Sequence, residues 1–151
     1  MKYSLANYIV TISSTDSNIQ GIIGQLSIGG GLSDETQGEA LGSISIERDE
    51  ALYSVDNYAT GGYVFNKNLS RTGTVELSLN QLSDKIGPLK NLCIYLETHE
   101  TDGLTITVMD SGVNKVAECI DCYPEKLPAQ EFKDTAQEQT WKFLVGQVNF
   151  K

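Results

Sequence analysis

Residues 72–80, Thr-Gly-Thr-Val-Glu-Leu-Ser-Leu-Asn, decide the fold class. Val75, Leu77 and Leu79 point one way; Thr74, Glu76, Ser78 and Asn80 point the other. A strict period of two across such a run predicts a strand with one dry and one wet face. Just upstream, Ile44 and Ile46 alternate with Ser43, Ser45 and Glu47, a second strand of the same kind.

Between these two strands lies the long stretch 49–68. Tyr53 and Val55 begin an extended run, Ala59-Thr60-Gly61-Gly62 supplies turn residues, and Tyr63, Val64 and Phe65 return. The turn chemistry predicts a hairpin. It carries Tyr53, Tyr58, Tyr63 and Phe65, a third of the chain's aromatics. Aromatic side chains order at an interface at low entropic cost, so these four are the expected subunit-interface residues. The competing reading is a hairpin folded back onto its own core.

Downstream, Ile86, Leu89, Leu92, Cys93 and Leu96 recur at helical spacing, placing one helix within 83–99. Ser83 or Asp84 would cap it, or Gly87-Pro88 would mark a later start. Strands follow at 104–109 and 115–123, joined by the turn DSGVNK, and a polar stretch over 124–140 contains two prolines. The last strand, 140–150, reads as apolar on both faces: Trp141, Phe143 and Val145 on one, Leu144, Val148 and Phe150 on the other. Such a strand needs cover on both sides, one of them from a neighbouring subunit.

The front of the chain is less regular. Residues 3–13 read as a strand, SSTDSN breaks the pattern, GIIGQLSIGGGL over 21–32 reads as a short strand ending in a glycine run, and SDETQGEA over 33–40 reads as a loop. The expected architecture is one domain over 1–151, mostly β: a β-sandwich or small barrel of two packed sheets with one α-helix and a long protruding hairpin.

Composition limits the function. The chain has 151 residues, 40% hydrophobic and 21% charged, which suits a folded domain and not a disordered one. Its net charge of −9 opposes tight binding of nucleic acid, although an acidic wall lets nucleic acid pass without sticking. No stretch approaches the about 18–20 apolar residues of a spanning helix, and the start of the chain lacks the apolar run of a signal peptide. No membrane association is expected.

Candidate chemistry is sparse. Cys119-Ile120-Asp121-Cys122, with Cys93 and His99, would supply a zinc ligand set. On a strand, however, residues three apart point to opposite faces, and residues 93 and 99 on a helix lie about 120° apart around the axis. His99 is the sole histidine, and no glycine-rich elbow accompanies a nucleophile. Acidic residues crowd 34–56 without the spacing of a calcium loop, and GGYVFNK and SIGGGLS lack the pattern of a phosphate loop. The expectation is no enzyme, no metal and no cofactor.

The run 44–92, ISIERDEALYSVDNYATGGYVFNKNLSRTGTVELSLNQLSDKIGPLKNL, resembles tail tube proteins of contractile-tailed bacteriophages. The resemblance lies in a strand, a long hairpin arm, then Arg71-Thr72-Gly73-Thr74-Val75 leading through Leu77 and Leu79 to a helix. Cys119–Leu127 resembles the family's strand entering a basic-proline bend, and Thr140–Phe150 its closing strand. The long polar front end over 14–40 and the acidic base of the hairpin depart from that pattern. The resemblance implies homohexameric rings stacked into the inner tube of a contractile tail. It also implies contacts with sheath, baseplate and tail terminator proteins, and DNA passing through the bore without specific binding. The place would be the virion tail, assembled in the host cytoplasm. In such a tube the wet faces, Ser43, Ser45 and Glu47 with Thr74, Glu76, Ser78 and Asn80, are the expected lumen-facing residues. A secretion-system or bacteriocin-type tube and a ligand-binding β-sandwich are the alternatives.

Overall fold

The computed structural model describes residues 8–23, 26–29, 41–80, 86–110, 114–128, 133, 135 and 137–151. The expected loop over 33–40 and the possible caps Ser83 and Asp84 lie outside them. In chain order the elements are β1 (Tyr8–Ser13), α1 (Ser17–Ile23), β2 (Leu26–Gly29), β3 (Leu41–Arg48), β4 (Tyr53–Asn57), β5 (Tyr63–Lys67) and β6 (Gly73–Asn80). Then come α2 (Ile86–Thr98), β7 (Leu104–Asp110), β8 (Asn114–Pro124) and β9 (Glu138–Phe150). Seven strands form one antiparallel sheet in the order β2-β1-β7-β8-β9-β6-β3, and β4-β5 form a separate two-stranded ribbon.

The mostly-β character, the two sheets and the protruding hairpin are those expected from the sequence. The second sheet is the hairpin itself, and the large sheet is covered by helices. Ile19 of α1 and Leu89, Leu92 and Cys93 of α2 lie in one buried cluster with the inward side chains of β1, β6, β7, β8 and β9. Cross-strand pairing sets that core: Leu77 faces Trp141, Val75 faces Phe143, and Val10 faces Val108. Trp141 and Phe143 are its largest fully buried members. Burying side chains of this size is the main term opposing chain entropy.

Three readings need correction. The polar break after β1 contains a second helix. Asp16 Oδ1 accepts from the amides of Asn18 and Ile19 at 2.8 and 3.4 Å, an N-cap that opens α1. The signal was present in Asp16 and in the spacing of Ile19, Ile22 and Ile23, but serine and threonine hid it.

The last strand is not dry on both faces throughout. Val148 is buried with Trp141, Phe143 and Val145, while Leu144 and Phe150 are 47% and 54% exposed. The side chains change parity because Asp121 of β8 takes a left-handed conformation, φ 58°. Between Leu104/Cys122 and Ile106/Cys119, two steps along β7 oppose three along β8. This is a bulge. The β8–β9 register runs through it without a shift, so β9 changes parity at the same place.

The same bulge turns Cys119 and Cys122 to the same side. Both are fully buried, and the Cys122 thiol donates to the Cys119 carbonyl at 3.4 Å. The opposite-face geometry expected of an ideal strand therefore does not hold. Two glycines make room for Asp121: a Cβ on Gly103 would stand 2.6 Å from Asp121 Cα, and one on Gly146 would stand 3.0 Å from Asp121 Cβ.

Candidate assembly surfaces

Arm. Strands β4 and β5 are exposed along their whole length. Their register pairs Tyr53 with Lys67, Val55 with Phe65 and Asn57 with Tyr63, while Ser54 faces Asn66 and Asp56 faces Val64. Paired residues share a face, so Tyr53, Val55, Tyr63 and Phe65 lie on one side of the ribbon. Tyr63 and Phe65 pack edge to face with ring centroids 5.6 Å apart. The other side is more polar, tied by Asn66 Nδ2 donating to Asp56 Oδ2 at 2.6 Å.

The tip is a three-residue loop. The Tyr58 amide donates to Gly62 O at 2.9 Å and the Gly61 amide to Tyr58 O at 3.0 Å. Gly61 takes φ 89°, which favours glycine there. Tyr53, Tyr58, Tyr63 and Phe65 are 54–66% exposed, so the hairpin is not folded back onto the core.

Wet wall. The β3–β6 register sets Ser43 opposite Ser78, Ser45 opposite Glu76 and Glu47 opposite Thr74, so these six share one face of the sheet. Ser43, Ser45, Glu47 and Glu76 are exposed, whereas Ser78 is covered and donates to Glu138 Oε2 at 3.0 Å. Asn80 pairs with Glu138 in the backbone register. Strand β9 extends the wall with Thr140, Lys142 and Leu144 opposite Ser78, Glu76 and Thr74. Lys142 therefore interrupts the carboxylates, and its Nζ stands 3.2 Å from Glu125. The alternation of β3 and β6 alone gave no sign of this cation, because it arrives from a strand distant in sequence.

Titratable groups. His99 directly follows α2, with its ring stacked on Tyr95 at 4.1 Å and its Nδ1 2.8 Å from Thr98 Oγ1. Burial, with help from Glu97, pushes the Cys93 thiol up to about 11. Burial and then Glu118 push Cys119 up to about 11; burial and then Cys119 push Cys122 up to about 12. Protonated, buried thiols are poor nucleophiles and poor metal ligands.

We expect a thiol reagent such as DTNB at pH 8 to find no fast-reacting cysteine in the folded protein and all three after unfolding in urea. These groups also set a pH dependence. An unfolded thiol ionises near 9, while the folded ones hold their protons to about 11. Above pH 9 the unfolded state thus binds fewer protons, and stability falls as pH rises from 9 towards 11. Urea midpoints across that window check the sign, and Cys122→Ala should make the fall shallower.

Clefts. One of about 170 Å³ lies between Leu96 of α2 and the 123–127 segment, smaller than the roughly 300 Å³ of ordinary ligand sites. A second, open and polar, lies at the base of the arm. Neither gathers the four arm aromatics into a concave ligand site.

Family. The described strands of the chain form a large sheet and a separate aromatic arm. The fold is that of contractile-injection-system components. It matches a chain of the sheath/tube terminator of the extracellular contractile injection system PVC in the extended state with TM-score 0.62 and 12% identity, covering 100% of this chain and 97% of that one. The anti-feeding prophage cap, an AFP tube terminating cap, matches with TM-score 0.56 and 13% identity over 100% and 93%. The PVC sheath–tube complex in the extended state matches with TM-score 0.56 and 12% identity over 99% and 91%. Identities this low establish the shared fold. Curated protein sequences give no match. The chain belongs to the bacteriophage PhiTE tail tube protein family, whose model matches residues 11–151.

Proposed function

We propose that this chain is the subunit of homohexameric rings that stack into the inner tube of a contractile phage tail. Membership of a tail tube family supports a structural role in the tail. The observation that carries the assembly reading is the arm: Tyr53, Val55, Tyr63 and Phe65 form an apolar face that is 49–66% exposed. Exposed apolar patches of this kind mark interaction sites. Among the described residues the large sheet also ends in two strands without an outer neighbour, β2 and β3. Free edges invite pairing with another chain. In the finished tail the tube contacts sheath, baseplate and terminator proteins, and the place of action is the virion.

The wall of β3 and β6 faces the bore in this reading. Glu47 and Glu76, set among small hydroxyls, are repeated around the ring axis and repel phosphate at close range. Salt screens that repulsion over about 8 Å at physiological ionic strength. DNA then slides past without binding. Reversing both charges, E47K/E76K, should leave tubes intact and slow genome release from assembled tails. A map of the tube with Glu47 and Glu76 on the sheath side would refute the lumen assignment.

Self-association tests the assembly reading itself. Light scattering and sedimentation over a concentration series should show growth from the 16.5 kDa chain to rings and longer species. A chain that stays monomeric throughout, with or without preformed tail seeds, would contradict it.

A further inference from the structure

The cleft at the base of the arm is an electrostatic exception in an acidic protein. It has a volume of about 820 Å³ and is lined by Arg48, Lys67 and Arg71, with Asp121 as its one carboxylate. Three of the chain's 11 cations thus meet in one place, although the net charge is −9. Among the described residues none of the three is ion-paired. Arg48 donates through Nε and Nη2 to Val148 O at 3.2 and 2.9 Å, which holds its guanidinium in place without neutralising it. Arg71 donates to Asn149 Oδ1 at 3.1 Å, again a neutral acceptor.

The rim is apolar. Leu69, 77% exposed, and Leu52 flank the cations, and Tyr53 connects the cleft to the aromatic face of the arm. Cations without a carboxylate partner among the described residues, beside exposed apolar side chains, are the composition of a surface that complements opposite charge.

We propose that this cleft receives an acidic segment of a second copy of the chain, so that assembly is steered by charge as well as held by the arm. Charge complementarity selects the occupant. The chain carries 20 carboxylates, and short acidic stretches such as Glu97, Glu100 and Asp102 stand exposed at the end of α2 without a cationic partner among the described residues. Duplex DNA fits less well, since its long line of phosphates would meet the acidic remainder of the surface. A short peptide segment meets the cleft alone.

The inference rests on the assembly reading for its occupant, and its test separates the two. The variants are K67E/R71E and the milder K67Q/R71Q, both at exposed positions, with thermal melts confirming the fold. Sedimentation at low salt should show self-association weakened about tenfold or more in K67E/R71E, with a flattened salt dependence. In parallel, hexaglutamate is titrated into dilute monomer and followed by amide shifts. Shifts at Arg71, Gly146 and Gln147, lost in both variants and absent with hexaglutamine, are expected. No shift, or the same shift in the variants, would overturn the cleft. Peptide binding in a chain that never self-associates would overturn the second copy as occupant, and so would tighter binding of a short DNA duplex.

Discussion

Replacing Tyr53, Tyr58, Tyr63 and Phe65 together by Ser should abolish assembly and leave the folded chain intact. All four are more than half exposed, and among the described residues the strands that flank them pair only with each other as a two-stranded sheet. Their removal therefore takes little from the core, whose buried cluster contains no residue of β4 or β5. At an interface the same rings are anchors, each contributing about 2 kcal/mol or more where it acts as a hot spot. Even two such anchors lost from every contact would lower subunit affinity by about a thousandfold. The expected result is an unchanged thermal melt with rings and tubes absent by scattering. An unfolded variant would show that the hairpin is part of the core; a variant that assembles normally would show that the arm is not the interface.

Gly73→Ala should instead strike the fold. Gly73 opens β6 in the Thr-Gly-Thr-Val run, where it pairs with Arg48 of β3 and Val145 of β9. A Cβ there would collide with the Glu47 carbonyl oxygen and stand 2.7 Å from Val148 Cγ2. The obstacle on one side is backbone, so the strands themselves must part. Overpacking of this kind costs about 1–3 kcal/mol, and a collision with backbone belongs at the upper end. The loss should appear as a lower urea midpoint at unchanged slope. An Ala variant as stable as the parent would mean that the β3–β6–β9 junction is looser than its geometry indicates. This close approach also gives a physical reason for glycine in that run: three strands meet where only a hydrogen fits.

The strands with simple alternation were legible in the sequence. Val75, Leu77 and Leu79 are buried, and the arm turns at Gly61 within the expected Ala59–Gly62 stretch. The stripe Ile86, Leu89, Leu92, Cys93 and Leu96 forms a helix, and its inner positions Leu89, Leu92 and Cys93 are buried. What escaped was whatever depends on a residue breaking its own period. Asp121 shifts the parity of two strands at once, which placed Cys122 and Val148 on the wrong faces; only a neighbourhood of Gly103 and Gly146, remote in sequence, permits it. Helix α1 was hidden because its cap and first residues are the same polar types that fill loops. The basic cleft escaped for a related reason. Arg48 sits among Glu47, Asp49 and Glu50, Lys67 and Arg71 lie on the far side of the hairpin, and only the return of the hairpin to its base brings the three together. Lys142, likewise, reached the wet wall through β9 pairing with β6.

The most direct test of the assembly account is electron microscopy of the purified chain, alone and seeded with preformed tail fragments. Hollow rings and tubes with six-fold symmetry, the arm bridging adjacent subunits and Glu47 and Glu76 facing the bore, are the expected result. A field of separate 16.5 kDa particles at every concentration, seeded or not, would contradict it.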